Sequence, residues 1–126
     1  MVPSTNKKER RKYPRFKAVN GAFAAVRQNA NQMGQIQDIS VGGLAFKYLA
    51  NEGTFNGART LDIFIIKQEL YIKDIPIQLI RDTEVEKESP YSTVPMRQQS
   101  VQFGELSVEQ RSRLIHLMQY HTVGES

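Results

Sequence analysis

From residue 21 onward, apolar residues recur in short runs separated by polar or glycine-containing breaks. "AFAAVRQ" is a strand-like run and "QNANQM" a polar turn. "GQIQDIS" alternates polar and apolar positions, with Ile36 and Ile39 near a switch of face. "VGG" breaks the chain, "LAFKYL" resumes it, and "NEGTFNGA" reads as a loop. "RTLDIFIIK" and "LYIKDIPIQLIRD" carry Ile, Leu, Phe and Tyr at strand spacing. Pro76, inside the second of these, predicts an edge position or a bulge. "TEVEKESPYSTVP" reads as a solvated hairpin tip or loop, and "MRQQSVQFGEL" as the final strand. Short strands at regular spacing predict an antiparallel sandwich or small barrel.

The pattern changes at "SVEQRSRLIHLMQYH", where Ser107 and Gln110 have capping-box spacing. Glu109 falls in the first turn, where the helix dipole favours an acid. Leu114, Ile115 and Met118 predict an apolar stripe on a C-terminal helix packed against the barrel.

A chain of 126 residues with 40% hydrophobic content is enough for one domain with its own core. It contains no cysteine, so disulfides, thiolate metal sites and a cysteine nucleophile are excluded. No apolar run approaches the roughly 18 residues of a membrane-spanning helix. The N-terminus is charged and has no apolar signal-peptide core. The reading is a soluble, cytoplasmic protein with no membrane insertion.

The net charge is +4, and its distribution changes the picture. Residues 1–17 hold seven basic side chains and one acid, a net of +6, which leaves −2 for residues 18–126. That segment has almost no aliphatic surface with which to order itself. A phosphate-bearing partner, or simply a solvated tail, accounts for such a block. The expected organisation is a basic arm over 1–17, a barrel over 18–106 and a helix over 107–121.

Catalytic chemistry finds no support. No serine sits in a G-x-S-x-G elbow. His116 and His121 are five apart on the predicted helix and do not share a face, which argues against a metal site. Glu84, Glu86 and Glu88 lack the loop spacing of a calcium site.

Two stretches carry binding chemistry. Arg11-Lys-Tyr-Pro-Arg15 has R-x-x-x-R spacing, preceded by Arg10. Arginine's planar fork grips a phosphate, or the O6/N7 edge of guanine, through two hydrogen bonds. In an extended chain, residues four apart point the same way about 13 Å from one another. Pro14 restricts the conformations between them. The second stretch is Asp38-Ile-Ser40-Val-Gly42-Gly43, with D-x-S-x-x-G spacing. On a strand, Asp38 and Ser40 share a face. The carboxylate suits the N1–H and amino group of guanine, or an arginine, and the hydroxyl suits a phosphate or a base. Gly42 and Gly43 permit a tight turn with positive φ and leave room for a ligand. A plain hairpin turn has the same composition.

Together, in this order and in an all-β chain, the two motifs resemble the PilZ domain family. The resemblance covers nearly the whole chain, and "GELSVEQRSRL" is similar to the family's strand-to-helix junction. It implies a six-stranded antiparallel β-barrel with a C-terminal helix. It also implies a stand-alone receptor for the bacterial second messenger cyclic di-GMP, with neither enzymatic activity nor a cofactor. Arg11 and Arg15 would grip guanine and phosphate, and Asp38, Ser40, Gly42 and Gly43 would line the other side. An arginine at position 10 leans toward two ligand molecules per chain. The ligand would order the arm, and a protein partner would read the new surface. Two alternatives remain: a basic-armed barrel for single-stranded nucleic acid, with Tyr13 or Phe16 stacking on bases, and a PilZ-like interaction domain that binds no nucleotide. The slightly acidic barrel, without exposed aromatics on neighbouring strands, makes nucleic acid the less favoured partner.

Overall fold

The computed structural model describes residues 13–26, 32–49, 60–85 and 96–125. Among them are eight strands and one α-helix: β1 Phe16–Ala18, β2 Ala22–Val26, β3 Gln32–Ile39, β4 Gly43–Leu49, β5 Thr60–Ile65, β6 Leu70–Glu84, β7 Met96–Phe103, α1 Val108–Tyr120 and β8 Thr122–Glu125. Neighbours run in the order β2-β5-β6-β7-β4-β3, and β3 also pairs with β2, closing a six-stranded antiparallel barrel. The short strands β1 and β8 extend the sheet from β3.

Alternation places the core. Ala22, Ala24 and Val26 of β2 face inward with Leu61, Ile63 and Ile65 of β5, and Ile72 and Ile75 of β6 continue that face. Leu44, Phe46 and Tyr48 of β4 meet Val101 and Phe103 of β7. Ile36 and Ile39 are both buried although they are three positions apart, a spacing that strict alternation would put on opposite faces. A register shift between Ile36 and Asp38 against β4 makes this possible, because the extra residue reverses the alternation. That bulge sets the direction of Asp38.

Pro76 does not mark the bulge itself. The register between β5 and β6 slips between Leu61 and Ile63, where Asp74 adopts φ 56°. Pro76 stands opposite Thr60 at the start of β5, and from Ile77 onward β6 pairs with β7 instead. The proline therefore sits where the long strand exchanges partners, a place that tolerates a residue without an N–H. A second slip lies between Leu79 and Arg81.

The helix begins with both halves of the capping box: Gln110 N donates to Ser107 Oγ at 3.0 Å, and Ser107 N to Gln110 Oε1 at 2.9 Å. The Gln110 amide also donates to the carbonyls of Lys73 and Asp74, fastening the first turn to the bulge in β6. Arg113 donates to the Tyr71 carbonyl at 2.7 Å. Leu114 and Leu117 enter the core with Met118 beside them, whereas Ile115 is 42% exposed. The buried stripe is thus Leu114, Leu117 and Met118, and the expected place of Ile115 in it is corrected. β7 is not the last strand, because β8 follows the helix and pairs with β1. Phe16 and Lys17, counted with the arm in the sequence reading, pair as β1 with Ile39 and Asp38.

A polar cluster joins β4, β6 and β7 at the ends away from the β3–β4 hairpin. Asp82 accepts from Tyr48 Oη, from Arg97 Nε at 2.6 Å and from Gln99 Nε2 at 3.0 Å. Burial works to raise the Asp82 carboxyl, but these three donors and the Arg97 charge outweigh it and hold the group below the usual carboxylate range. Burial, then the bond to Asp82, pushes the Tyr48 hydroxyl up to about 12.

Candidate ligand-binding site

The two sequence motifs meet at one edge of the barrel. β1 follows directly on the first motif and enters the sheet, placing Phe16 opposite Ile39 and Lys17 opposite Asp38. Arg15 Nη1 lies 3.9 Å from Asp38 Oδ1, with the two side chains 37% and 21% exposed. That is a long, partly solvated ion pair of small energetic worth. Asp38 Oδ1 is itself shielded from solvent and has no hydrogen-bond partner.

The second motif closes the β3–β4 hairpin. Ser40 N donates to the Gly43 carbonyl at 2.8 Å. The Ser40 hydroxyl accepts from the amides of Gly42 and Gly43 at 3.1 and 3.2 Å and donates to the Gly43 carbonyl at 3.3 Å. Its one donor and both lone pairs are committed to the turn. In this geometry the Ser40 hydroxyl holds the turn together.

Neither Gly42 nor Gly43 has positive φ, contrary to the expected reason for these glycines. Space is the reason instead. A Cβ on Gly43 would lie 2.2 Å from the Val101 carbonyl oxygen, and one on Gly42 would lie 2.6 Å from Cδ2 of Tyr13. The Tyr13 ring, from the middle of the first motif, is thus laid against the second. Nothing local in the sequence signals this contact, because residues 13 and 42 meet only once the barrel is closed. Arg10 and Arg11 lie outside the described residues.

Two further expectations change. The imidazoles of His116 and His121 come within 5.6 Å, centroid to centroid, because His121 leaves helical geometry as the C-cap. No group of three or more metal-ligating side chains forms among the described residues. Aromatics do line up outside neighbouring strands: Phe23 stacks on Phe64 at 5.7 Å, and Phe64 on Tyr71 at 6.2 Å. Among the described residues, no helix is long and apolar enough to cross a membrane.

The fold is similar to that of the PilZ domain of YcgR from Escherichia coli, a structure with c-di-GMP, at a TM-score of 0.67 and 17% identity over 87% of this chain and 89% of that one. It is also similar to MrkH of K. pneumonia in a c-di-GMP complex, at a TM-score of 0.65 and 18% identity over 86% of this chain and 51% of that one. The chain thus spans about half the length of MrkH. No curated protein matches its sequence. The PilZ domain family model matches residues 9–120, which include both motifs, the whole barrel and the helix, and the chain belongs to the PilZ domain family.

Proposed function

We propose that this chain is a cyclic di-GMP receptor that binds its ligand where the R-x-x-x-R and D-x-S-x-x-G motifs meet. The observation that carries the reading is the meeting of the two motifs, with the Arg15 guanidinium 3.9 Å from the partly exposed Asp38 carboxylate. A guanine offers N1–H and amino donors to the Asp38 carboxylate, while Arg15 turns its fork to phosphate or to the O6/N7 edge. Arg10 and Arg11 supply further forks from the chain leading into Tyr13. Ser40, Gly42 and Gly43 serve by holding the hairpin flat enough for the ligand to approach. The PilZ structures of YcgR and MrkH with c-di-GMP support the same ligand class.

In this reading, binding fixes residues 10–16 against β3 and the hairpin, and a protein partner reads the altered surface in the cytoplasm. No bond is made or broken. The stacked ladder of Phe23, Phe64 and Tyr71 gives the nucleic-acid alternative a structural footing. The Asp62 carboxylate bonded to the Tyr71 hydroxyl at 2.8 Å counts against a polyanion there.

Calorimetric titration with cyclic di-GMP, GTP and a short single-stranded oligonucleotide separates the readings. Saturable binding of cyclic di-GMP alone is expected. Equal or tighter oligonucleotide binding favours the nucleic-acid barrel, and three flat titrations favour the interaction domain.

A further inference from the structure

A cleft of about 340 Å³ opens between the β3–β4 hairpin, the link from β7 to α1, and the flank of the helix that carries Arg111, Leu114 and Ile115. This is close to the lower bound of small-molecule sites, roughly 300–1,000 Å³, and has room for a single planar base. Tyr13 and Gly42 line it together with Ile115, while Gln102, Glu105 and Arg111 supply its polar groups. Among the described residues, no side-chain hydrogen bond or ion pair involves Gln102, Glu105 or Arg111. Acid and base thus line one small cleft without closing on each other, and the hydrogen-bonding capacity of both is open.

We infer that this cleft is a nucleobase subsite that takes one guanine of a cyclic di-GMP molecule, with Tyr13 as its stacking platform, Glu105 and Arg111 as its readers and Gln102 as an adaptable third contact. The inference rests on the receptor reading above and adds to it a place and a basis for base selectivity. Guanine presents donors, N1–H and the 2-amino group, along one edge, which match the two oxygens of a carboxylate. It presents acceptors, O6 and N7, along another, which match an arginine fork. Adenine reverses part of this pattern, with a bare N1 and an amino group at C6. It would set the Glu105 carboxylate against a lone pair and the Arg111 fork against a donor, and mismatched polar groups of this kind are what give a site its selectivity. Tyr13 has a flat π surface that is 38% exposed, and its edge is held on Gly42. Tyr13 belongs to the first motif and Gly42 to the second, so a base in the cleft is continuous with a ribose and phosphate beside Arg15 and Asp38.

The test compares intact wild-type chain with Glu105→Gln, Arg111→Ala and, as a control on the receptor reading, Arg15→Ala. Cyclic di-GMP and cyclic di-AMP are titrated into each, and melting temperatures are recorded. Glu105 and Arg111 are exposed, so both variants are expected to melt with the wild type. Each is expected to bind cyclic di-GMP about tenfold or more weakly and to narrow its preference over cyclic di-AMP. If Arg15→Ala loses binding while Glu105→Gln and Arg111→Ala bind and discriminate as the wild type does, the cleft is not a base subsite and the receptor reading survives. If the wild type binds no cyclic di-GMP, both are overturned.

Discussion

The ring of Tyr13 lies against Gly42 so closely that a single added carbon at position 42 would come within 2.6 Å of its Cδ2. This contact joins the two sequence motifs, and Gly43 next to it has a different neighbour, the Val101 carbonyl, which an added Cβ would approach to 2.2 Å. The adjacent glycines should therefore fail differently. Gly42→Ala has only a side-chain ring to displace, so it should leave the melting temperature near the wild type while weakening cyclic di-GMP binding. Gly43→Ala presses on backbone inside the β4–β7 ladder and should destabilise the barrel by about 1–3 kcal/mol. Calorimetry and thermal melts on the two variants check this, and Tyr13→Ala combined with Gly42→Ala should remove the steric part of the Gly42 effect.

Contributions within the basic segment should be unequal. Arg11→Ala and Arg15→Ala each remove a charge-assisted contact worth about 1–3 kcal/mol, or about 5- to 150-fold in affinity. Asp38→Ala should cost a similar amount without unfolding the domain. Lys7→Ala and Lys8→Ala should change affinity little, because remote exposed charges are screened. Equal losses from every basic residue would point to a diffuse electrostatic tail.

Arg10 governs stoichiometry in this account. Two cyclic di-GMP molecules per chain are expected by calorimetry, with Arg10→Ala moving the ratio toward one while keeping appreciable affinity. A wild-type ratio of one contradicts the role of Arg10 alone.

Ligand should also change proteolysis. Trypsin cleavage after Arg11 and Lys12 should slow markedly in the presence of cyclic di-GMP, while cleavage after Lys7 and Lys8 continues. Unchanged digestion at all four positions would contradict the fixing of residues 10–16 on binding.

The polar cluster at the other end of the barrel fixes two pH dependences of stability. The folded-state carboxyl of Asp82 titrates below the ordinary value, so its contribution is present above the usual carboxylate range and is lost as pH falls through the depressed value. The Tyr48 hydroxyl is raised, so its contribution is present below the unfolded value of 10.0 and is lost as pH rises through about 12. Asp82→Ala should destabilise by about 1–3 kcal/mol by leaving buried donors unmatched, and it should flatten the acid limb of a melting-temperature profile. In an ultraviolet titration, the Tyr48 phenolate should appear only near pH 12.

Much of this fold is legible in the order of apolar runs, since a barrel strand buries one face and alternation records it. Ile36 and Ile39 show the limit of that legibility. Their spacing signals a change of face, but only the pairing with β4 reveals a bulge. Strand β8 is nearly invisible, because "TVGE" has little apolar content and gains its place by pairing with β1. Ile115 fits the helical stripe on paper, yet the helix axis is set by Gln110 and Arg113 gripping β6, and Leu117 takes the inward position. At the site, residue types were readable and their reasons were not. The linear motif shows Ser40 and both glycines as a turn with room beside it, and only in space does it become clear that the room is taken by Tyr13 and the Val101 carbonyl.

The most direct test of the central claim is an amide chemical-shift map of the intact chain during titration with cyclic di-GMP. The account predicts saturable shifts at Arg15 to Lys17 and at Asp38 to Gly43, with the amides around Asp82 and Arg97 unmoved. Saturation with shifts confined to other strands, or no shifts at all, would contradict it.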